Sequence, residues 1–334
     1  MRATLILFAM SVALGQDAAR VFQLHHIDKA QDLNEFATLI RTISDNPQVV
    51  VDTAQKTLAV QGTATQIAVA EFLFTELDRQ TVPDSVSQEF KVANNADDVV
   101  RLFFVPDVAS IQSFQEIATT IRTIAEIRRV YTYNTFRALA VRGTADQIAA
   151  AAFLVGELDQ PAGAKRADSR VYQMIDTGNH GETAVRVFYL PYTSTIQQFQ
   201  EVATLIRTIV EIRRVFTYNP PRALVVRGTT DQIAAAAWMV QELGKPVDAA
   251  TLASQQYTMP SDPHGENIVQ VFYVKGVPTV QAFQQVATQI RTATSIRRVF
   301  TYNATMALAV RGTSAQITMV DQMLQDRARQ VASK

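Results

Sequence analysis

The stretch that decides the fold is "RRVFTYNPPRALVVRGTTDQIAAAAWMVQEL", residues 213–243. "RRVFTYN" (213–219) alternates apolar and small residues and is rich in β-formers, so it reads as a strand. "PPR" turns the chain, and "ALVVRG" (223–228) is a second strand stopped by Gly228. "TTDQIAAAAWMVQEL" then reads as a helix. Thr229 followed three residues later by Gln232 is the capping-box spacing, in which each side chain serves the other's backbone N–H.

Working outward, the same text returns. "RRVFTYN" recurs at 297–303 and, as "RRVYTYN", at 128–134. The T-x-x-Q start recurs at Thr63/Gln66, Thr144/Gln147 and Thr313/Gln316. An arginine stands 21 residues before the glycine in four places: Arg41 and Gly62, Arg122 and Gly143, Arg207 and Gly228, Arg291 and Gly312. The intervening block is therefore gap-free, and length varies only in front of it. Upstream, "VRVFYL" (185–190) reads as a strand. "STIQQFQEVATLIRTIV" (194–210) has Ile196, Phe199, Val202, Ala203 and Ile206 at helical spacing, with Thr195/Gln198 as another capping box. Each unit is strand–helix–strand–strand–helix.

A period above 80 residues is too long for a thin solenoid, so each copy is expected to be a small domain with its own core. The expected class is α+β: four tandem βαββα domains, each a three-stranded sheet with two helices on one face. An extra leading strand, "EFKVA", "RVYQM" or "QQYTM", is added in copies 2–4. The expected boundaries are 20–80, 89–161, 170–246 and 255–327, joined by Pro-, Ser- and charge-bearing linkers.

The chain has 334 residues, 48% apolar and 19% charged, a globular composition. Zero formal net charge argues against binding nucleic acid through bulk charge. Cysteine is absent, which excludes disulfides, thiolate metal sites and thiol nucleophiles. "MRATLILFAMSVALGQ" has the layout of a secretory signal peptide with cleavage after Gly15, giving an exported mature chain with no membrane span.

Chemistry-bearing motifs are few. There is no phosphate-cradling glycine loop. The one G-x-x-G, "GNHG" at 178–181, sits between two strands and in one copy only. His180/Glu182 and His264/Glu266 recur as "HGE" at the tips of the leading hairpins, without a second histidine at ligand spacing. A hairpin turn explains them as well. The reading is a non-enzyme with no metal and no cofactor.

At "ALVVRGTTDQIAAAAWMVQEL" and "TLAVQGTATQIAVAEFLFTELD" the chain resembles the short N-terminal domains of bacterial secretins, the ring-forming outer-membrane channels of type II and type III secretion and type IV pili. The first strand and helix of copy one, "VFQLHHIDKAQDLNEFATLI", resemble the family too, and the likeness covers most of residues 20–325. It implies periplasmic βαββα domains used for packing and partner docking, at the periplasm or the outer membrane. No pore-forming barrel segment follows before Lys334, so a channel is not expected.

Two sets of residues stand out. Strand faces alternate, and the copy-one equivalent "QVVVD" puts Asp52 opposite Tyr218 in the alignment. The face carrying Arg214, Phe216 and Tyr218 is therefore expected to point away from the helices. So are Arg129, Tyr131 and Tyr133, and Arg298, Phe300 and Tyr302. This Arg-aromatic stripe either is covered by a neighbouring copy or binds a partner: the chain itself, an envelope secretion or pilus protein, or, in the alternative reading, a peptidoglycan-type carbohydrate stacked on the rings. The second set is Phe72, Phe153 and Trp238, ten residues after the key glycine, where copy four has Gln322. They are expected to dock on the following copy.

Overall fold

The computed structural model describes residues 18–81, 87–92, 98–161, 163–175, 181–245, 253–260 and 265–332. The signal-like segment 1–15, His180 and His264 lie outside the described residues.

The first repeat runs β1 (Ala18–Gln23), α1 (Ala30–Ile43), β2 (Gln48–Asp52), β3 (Thr57–Gly62), α2 (Ala64–Leu77). The second runs β4 (Gln88–Lys91), β5 (Val99–Phe104), α3 (Ile111–Ile124), β6 (Arg129–Tyr133), β7 (Ala138–Gly143), α4 (Ala145–Leu158). The third runs β8 (Tyr172–Gln173), β9 (Ala184–Tyr189), α5 (Ile196–Leu205), continued by a π-helical turn Ile206–Val210, then β10 (Arg214–Tyr218), β11 (Ala223–Gly228), α6 (Thr230–Leu243). The fourth runs β12 (Tyr257–Thr258), β13 (Ile268–Tyr273), α7 (Val280–Thr294), β14 (Arg298–Tyr302), β15 (Ala307–Gly312), α8 (Ser314–Ala332).

The sheets are antiparallel, in the order β1-β3-β2 and then β4-β5-β7-β6, β8-β9-β11-β10 and β12-β13-β15-β14. The fold is the tandem βαββα array, with the leading strand added in repeats two to four.

Local chemistry fixes the second helices. In all four, the threonine Oγ1 accepts from the glutamine N–H, and the glutamine Oε1 accepts from the threonine N–H. These are Thr63/Gln66, Thr144/Gln147, Thr229/Gln232 and Thr313/Gln316. The preceding glycine exists for this cap. A Cβ on Gly62, Gly143, Gly228 or Gly312 would lie 2.4, 2.7, 2.8 or 3.0 Å from the folded-back glutamine oxygen. Gly228→Ala should therefore displace Gln232 and cost about 1 kcal/mol, the usual scale of a lost cap. A shift of the urea midpoint at unchanged slope measures it. At Thr195 the box is half built. Thr195 caps Gln198 N–H, but the Gln198 side chain accepts from Ser194 N–H at 2.8 Å instead.

The chain divides into two compact units, residues 1–106 with 127–152, and residues 107–126 with 153–334. Here the structure departs from four separate cores. In the first unit, one buried cluster takes Leu33, Phe36, Ile40 and Leu73 from repeat one together with Val100, Leu102, Phe104, Tyr133, Ala138 and Ala140 from the second sheet. In the second unit, one cluster joins Phe199, Leu205, Ile209 and Val226 of repeat three to Val269, Val271, Tyr273, Tyr302, Ala307 and Ala309 of the fourth sheet. The physical reason is that these sheets are apolar on both faces. A two-faced apolar sheet must be covered twice, and the first helix of the preceding repeat supplies the second cover.

Candidate functional site: the joint between repeats

On the outward face of the third sheet, three rows cross the strands: Val185–Arg227–Arg214, Val187–Val225–Phe216 and Tyr189–Ala223–Tyr218. The fourth sheet repeats them as Val269–Arg311–Arg298, Val271–Ala309–Phe300 and Tyr273–Ala307–Tyr302. The second has Val100–Arg142–Arg129, Leu102–Ala140–Tyr131 and Phe104–Ala138–Tyr133. Arginines lie at one end, aromatics in the middle, and a tyrosine with an asparagine after it at the other end.

The preceding helix meets each element of this face. At the tyrosine end, a helix glutamate accepts two hydrogen bonds from the asparagine that follows the strand, one from the backbone N–H and one from Nδ2. The pairs are Glu35 with Asn134 (2.9 and 2.9 Å), Glu116 with Asn219 (3.1 and 3.0 Å) and Glu201 with Asn303 (3.0 and 2.7 Å). At the arginine end, the guanidinium on the central strand donates to a carbonyl in the last turn of the helix. Arg142 reaches Ile43 O at 3.0 Å, Arg227 reaches Ile124 O at 2.8 Å, and Arg311 reaches Ile209 O at 3.2 Å. A cation at a helix C-terminus is favoured by the helix dipole and satisfies a carbonyl with no partner inside the helix.

The next acid completes the set. Asp45, Glu126 and Glu211 follow the helices and pair with Arg129, Arg214 and Arg298. Glu126 and Glu211 also reach Arg227 and Arg311, at 3.3 and 3.4 Å. All three acids have φ of +57° to +71°, the left-handed region where glycine is the usual helix terminator. An acid at a position that suits glycine is held there by its ion pair.

A second acid comes from the sheet itself. Asp98 takes Arg142 Nε and Nη2 at 2.8 and 2.5 Å, and these bonds hold the Asp98 carboxyl below the usual carboxylate range. Glu182 and Glu266 accept Arg227 Nε and Arg311 Nε on their backbone oxygens, both at 2.8 Å, and their carboxylates pair with Arg214 and Arg298. The glutamates of the two "HGE" tips thus belong to the joint. Among the described residues no group of three His, Cys, Asp or Glu is placed to hold a metal ion.

Burial follows the rows. Tyr133, Tyr218 and Tyr302 are 0, 4 and 1% exposed, and Arg227 is 1% exposed. Arg129, Tyr131, Arg214, Phe216, Arg298 and Phe300 are half-buried. Burial pushes the tyrosine hydroxyls up, Tyr218 to about 12. All nine residues of the stripe lie in the joints, with the preceding helix over them.

The second aromatic set lies beside the joint. Phe72 stacks on Phe90 of β4 (5.4 Å between centroids), Phe153 on Tyr172 of β8 (4.9 Å) and Trp238 on Tyr257 of β12 (5.2 Å). Each pairs with the leading strand of the following repeat.

Reading the sequence for aromatics missed the polar half of the joint: Glu35, Glu116, Glu201, the three asparagines and the three central-strand arginines. Its signal is a joint absence. Repeat one has Gln48, Thr53 and Gln61 in place of Arg, Asn and Arg, and repeat four has Gln285 and Ser295 in place of the two acids.

No family model matches the chain, and no curated protein matches it. Among the described residues no helix is long and apolar enough to cross a membrane. The chain is similar to several solved structures, secretin N-terminal domains among them. ExeD of Aeromonas hydrophila is 15% identical over 69% of this chain, with a TM-score of 0.17, and the chain spans 41% of its length. The N-terminal domain of the secretin XcpQ from Pseudomonas aeruginosa is 19% identical, over 45% of this chain and 69% of that one, with a TM-score of 0.19. Dim2p from Pyrococcus horikoshii is 14% identical, over 44% of this chain and 94% of that one, with a TM-score of 0.25.

Proposed function

We propose that this protein is an exported, non-catalytic scaffold of the cell envelope, whose work is to hold βαββα modules in a fixed order for protein partners. The observation that carries the reading is the joint. The same acid, arginine and asparagine set is built three times around a buried central-strand arginine, Arg142, Arg227 or Arg311, and the aromatics that could have served an outside ligand are used between repeats. Burying charge this way is costly unless every group is paired. Three paired copies are what a chain selected for fixed module placement would keep.

The leader-like N-terminus supports export. The resemblance of "TLAVQGTATQIAVAEFLFTELD" to secretin N-terminal domains points to a type II secretion or type IV pilus-like system as the setting. The test is expression with the native leader in a bacterium that carries such a system, followed by cell fractionation and in vivo cross-linking. Recovery from the periplasm or outer membrane, cross-linked to a secretion or pilus component, is the expected result. Retention in the cytoplasm with the leader uncut would refute export. An exported chain that cross-links to none of those components would refute the proposed setting.

A further inference from the structure

The two end repeats carry different versions of the joint. On the first sheet, Val21, Ala59 and Val50 lie side by side across β1, β3 and β2 in the middle row of the outward face. In the third sheet that row is Val187, Val225 and Phe216, under a helix. Here Val21 and Val50 are 66 and 67% exposed. The arginine positions of the face are Gln48 and Gln61, the asparagine position is Thr53, and the tyrosine position is Asp52.

On the first helices, two positions are apolar or small and fully buried in repeats one to three: Leu39, Thr120 and Leu205, and Ile43, Ile124 and Ile209. In α7 the same positions are Gln289 and Ala293, both exposed. Gln285 and Ser295 replace the acids, and Gln322 replaces the stacking aromatic of α8. Helix α7 thus ends the series with a polar outer face, as a terminal repeat does. The first sheet does not; its outward face keeps an apolar centre.

We propose that the outward face of the first sheet is a docking surface for the first-helix face of another βαββα module. That module is apolar at the positions of Leu39 and Ile43 and uncharged at the positions of Glu35 and Asp45. The occupant's class follows from the three other sheets, each of which takes such a helix on the same face. Its lack of charge follows from Gln48, Gln61 and Thr53. A helix acid there would meet no arginine and would approach Asp52 on the same face. Helix α7 of a second copy has the right charge state but lacks the apolar seam, so copies of this chain do not join end to end.

The probe that tests this is the full chain turned into a donor. Gln289→Leu and Ala293→Ile restore the seam on α7, and Val50→Lys closes the donor's own sheet. Both seam positions are exposed, so the donor should fold, which circular dichroism checks. Mixed with the unaltered protein at ~100 µM, in the range for a small interface, the donor should form a 1:1 complex by sedimentation equilibrium. Val50→Lys in the acceptor should weaken it at least about tenfold, as should Gln285→Glu in the donor, which brings an acid to a face that has Asp52 and no arginine. A folded donor that forms no complex would overturn the proposal. So would a complex indifferent to Val50→Lys, or end-to-end association of the unaltered protein.

Discussion

Replacing Arg227 with alanine is expected to lower the stability of the second unit by about 3–5 kcal/mol, the scale of breaking a buried charge network by removing one member. Arg227 is 1% exposed and serves three acceptors: Ile124 O, Glu182 O and the Glu126 carboxylate. Alanine removes the donor to Ile124 O, a buried bond, and to Glu182 O, a part-buried one. Arg213, exposed and immediately before β10, is the control. Its replacement by alanine should change stability by less than about 0.5 kcal/mol. Urea unfolding followed by circular dichroism compares the two. A loss below about 1 kcal/mol for Arg227→Ala would mean the guanidinium contributes little to the joint.

Alkaline pH should unfasten the same faces. Burial pushes the hydroxyls of Tyr189, Tyr218 and Tyr273 up to about 12 each, and raises Tyr302 as well. In the unfolded chain a tyrosine ionises near 10. Between these values the unfolded chain has released protons that the folded chain still holds, so stability falls as pH rises. The contribution is complete below about pH 10 and is lost toward pH 12, at about 2–3 kcal/mol for each group shifted by about two units. The comparison is internal, one tyrosine against its non-ionising analogue. Tyr218→Phe cannot ionise there and should flatten the decline. Stability measured from pH 8 to 11.5 for both proteins checks it, and parallel curves would contradict it.

Much of the fold was legible because its signals are local. Four T-x-x-Q starts, each behind a glycine, describe a cap whose two partners lie three residues apart, and Gly228 is there because Gln232 folds over it. The strand faces were legible for the same reason, since alternation is a property of one strand. Tyr218 does point away from its own helices. What covers it was not legible, because α3 lies about a hundred residues earlier and nothing in "RRVFTYN" states its distance partners. The polar joint was harder still. Glu116, Asn219 and Arg227 are ordinary surface residue types taken singly. Only the matched changes at Gln48, Gln61, Gln285 and Ser295, at opposite ends of the chain, mark them as one device. The shared cores follow from that device, since a sheet recruited as a cover belongs to two repeats at once.

The central claim is that the repeats are held by these specific pairs, and a double-mutant cycle on Glu116 and Asn219 tests it most directly. Both bonds from Asn219 end on one carboxylate. Glu116→Gln, Asn219→Ala and the double variant should give a coupling energy of about 1.5 kcal/mol or more, as expected for hydrogen bonds to a charged acceptor. Single losses that simply add, within about 0.5 kcal/mol, would show that this pair does not hold the repeats together and would contradict the account.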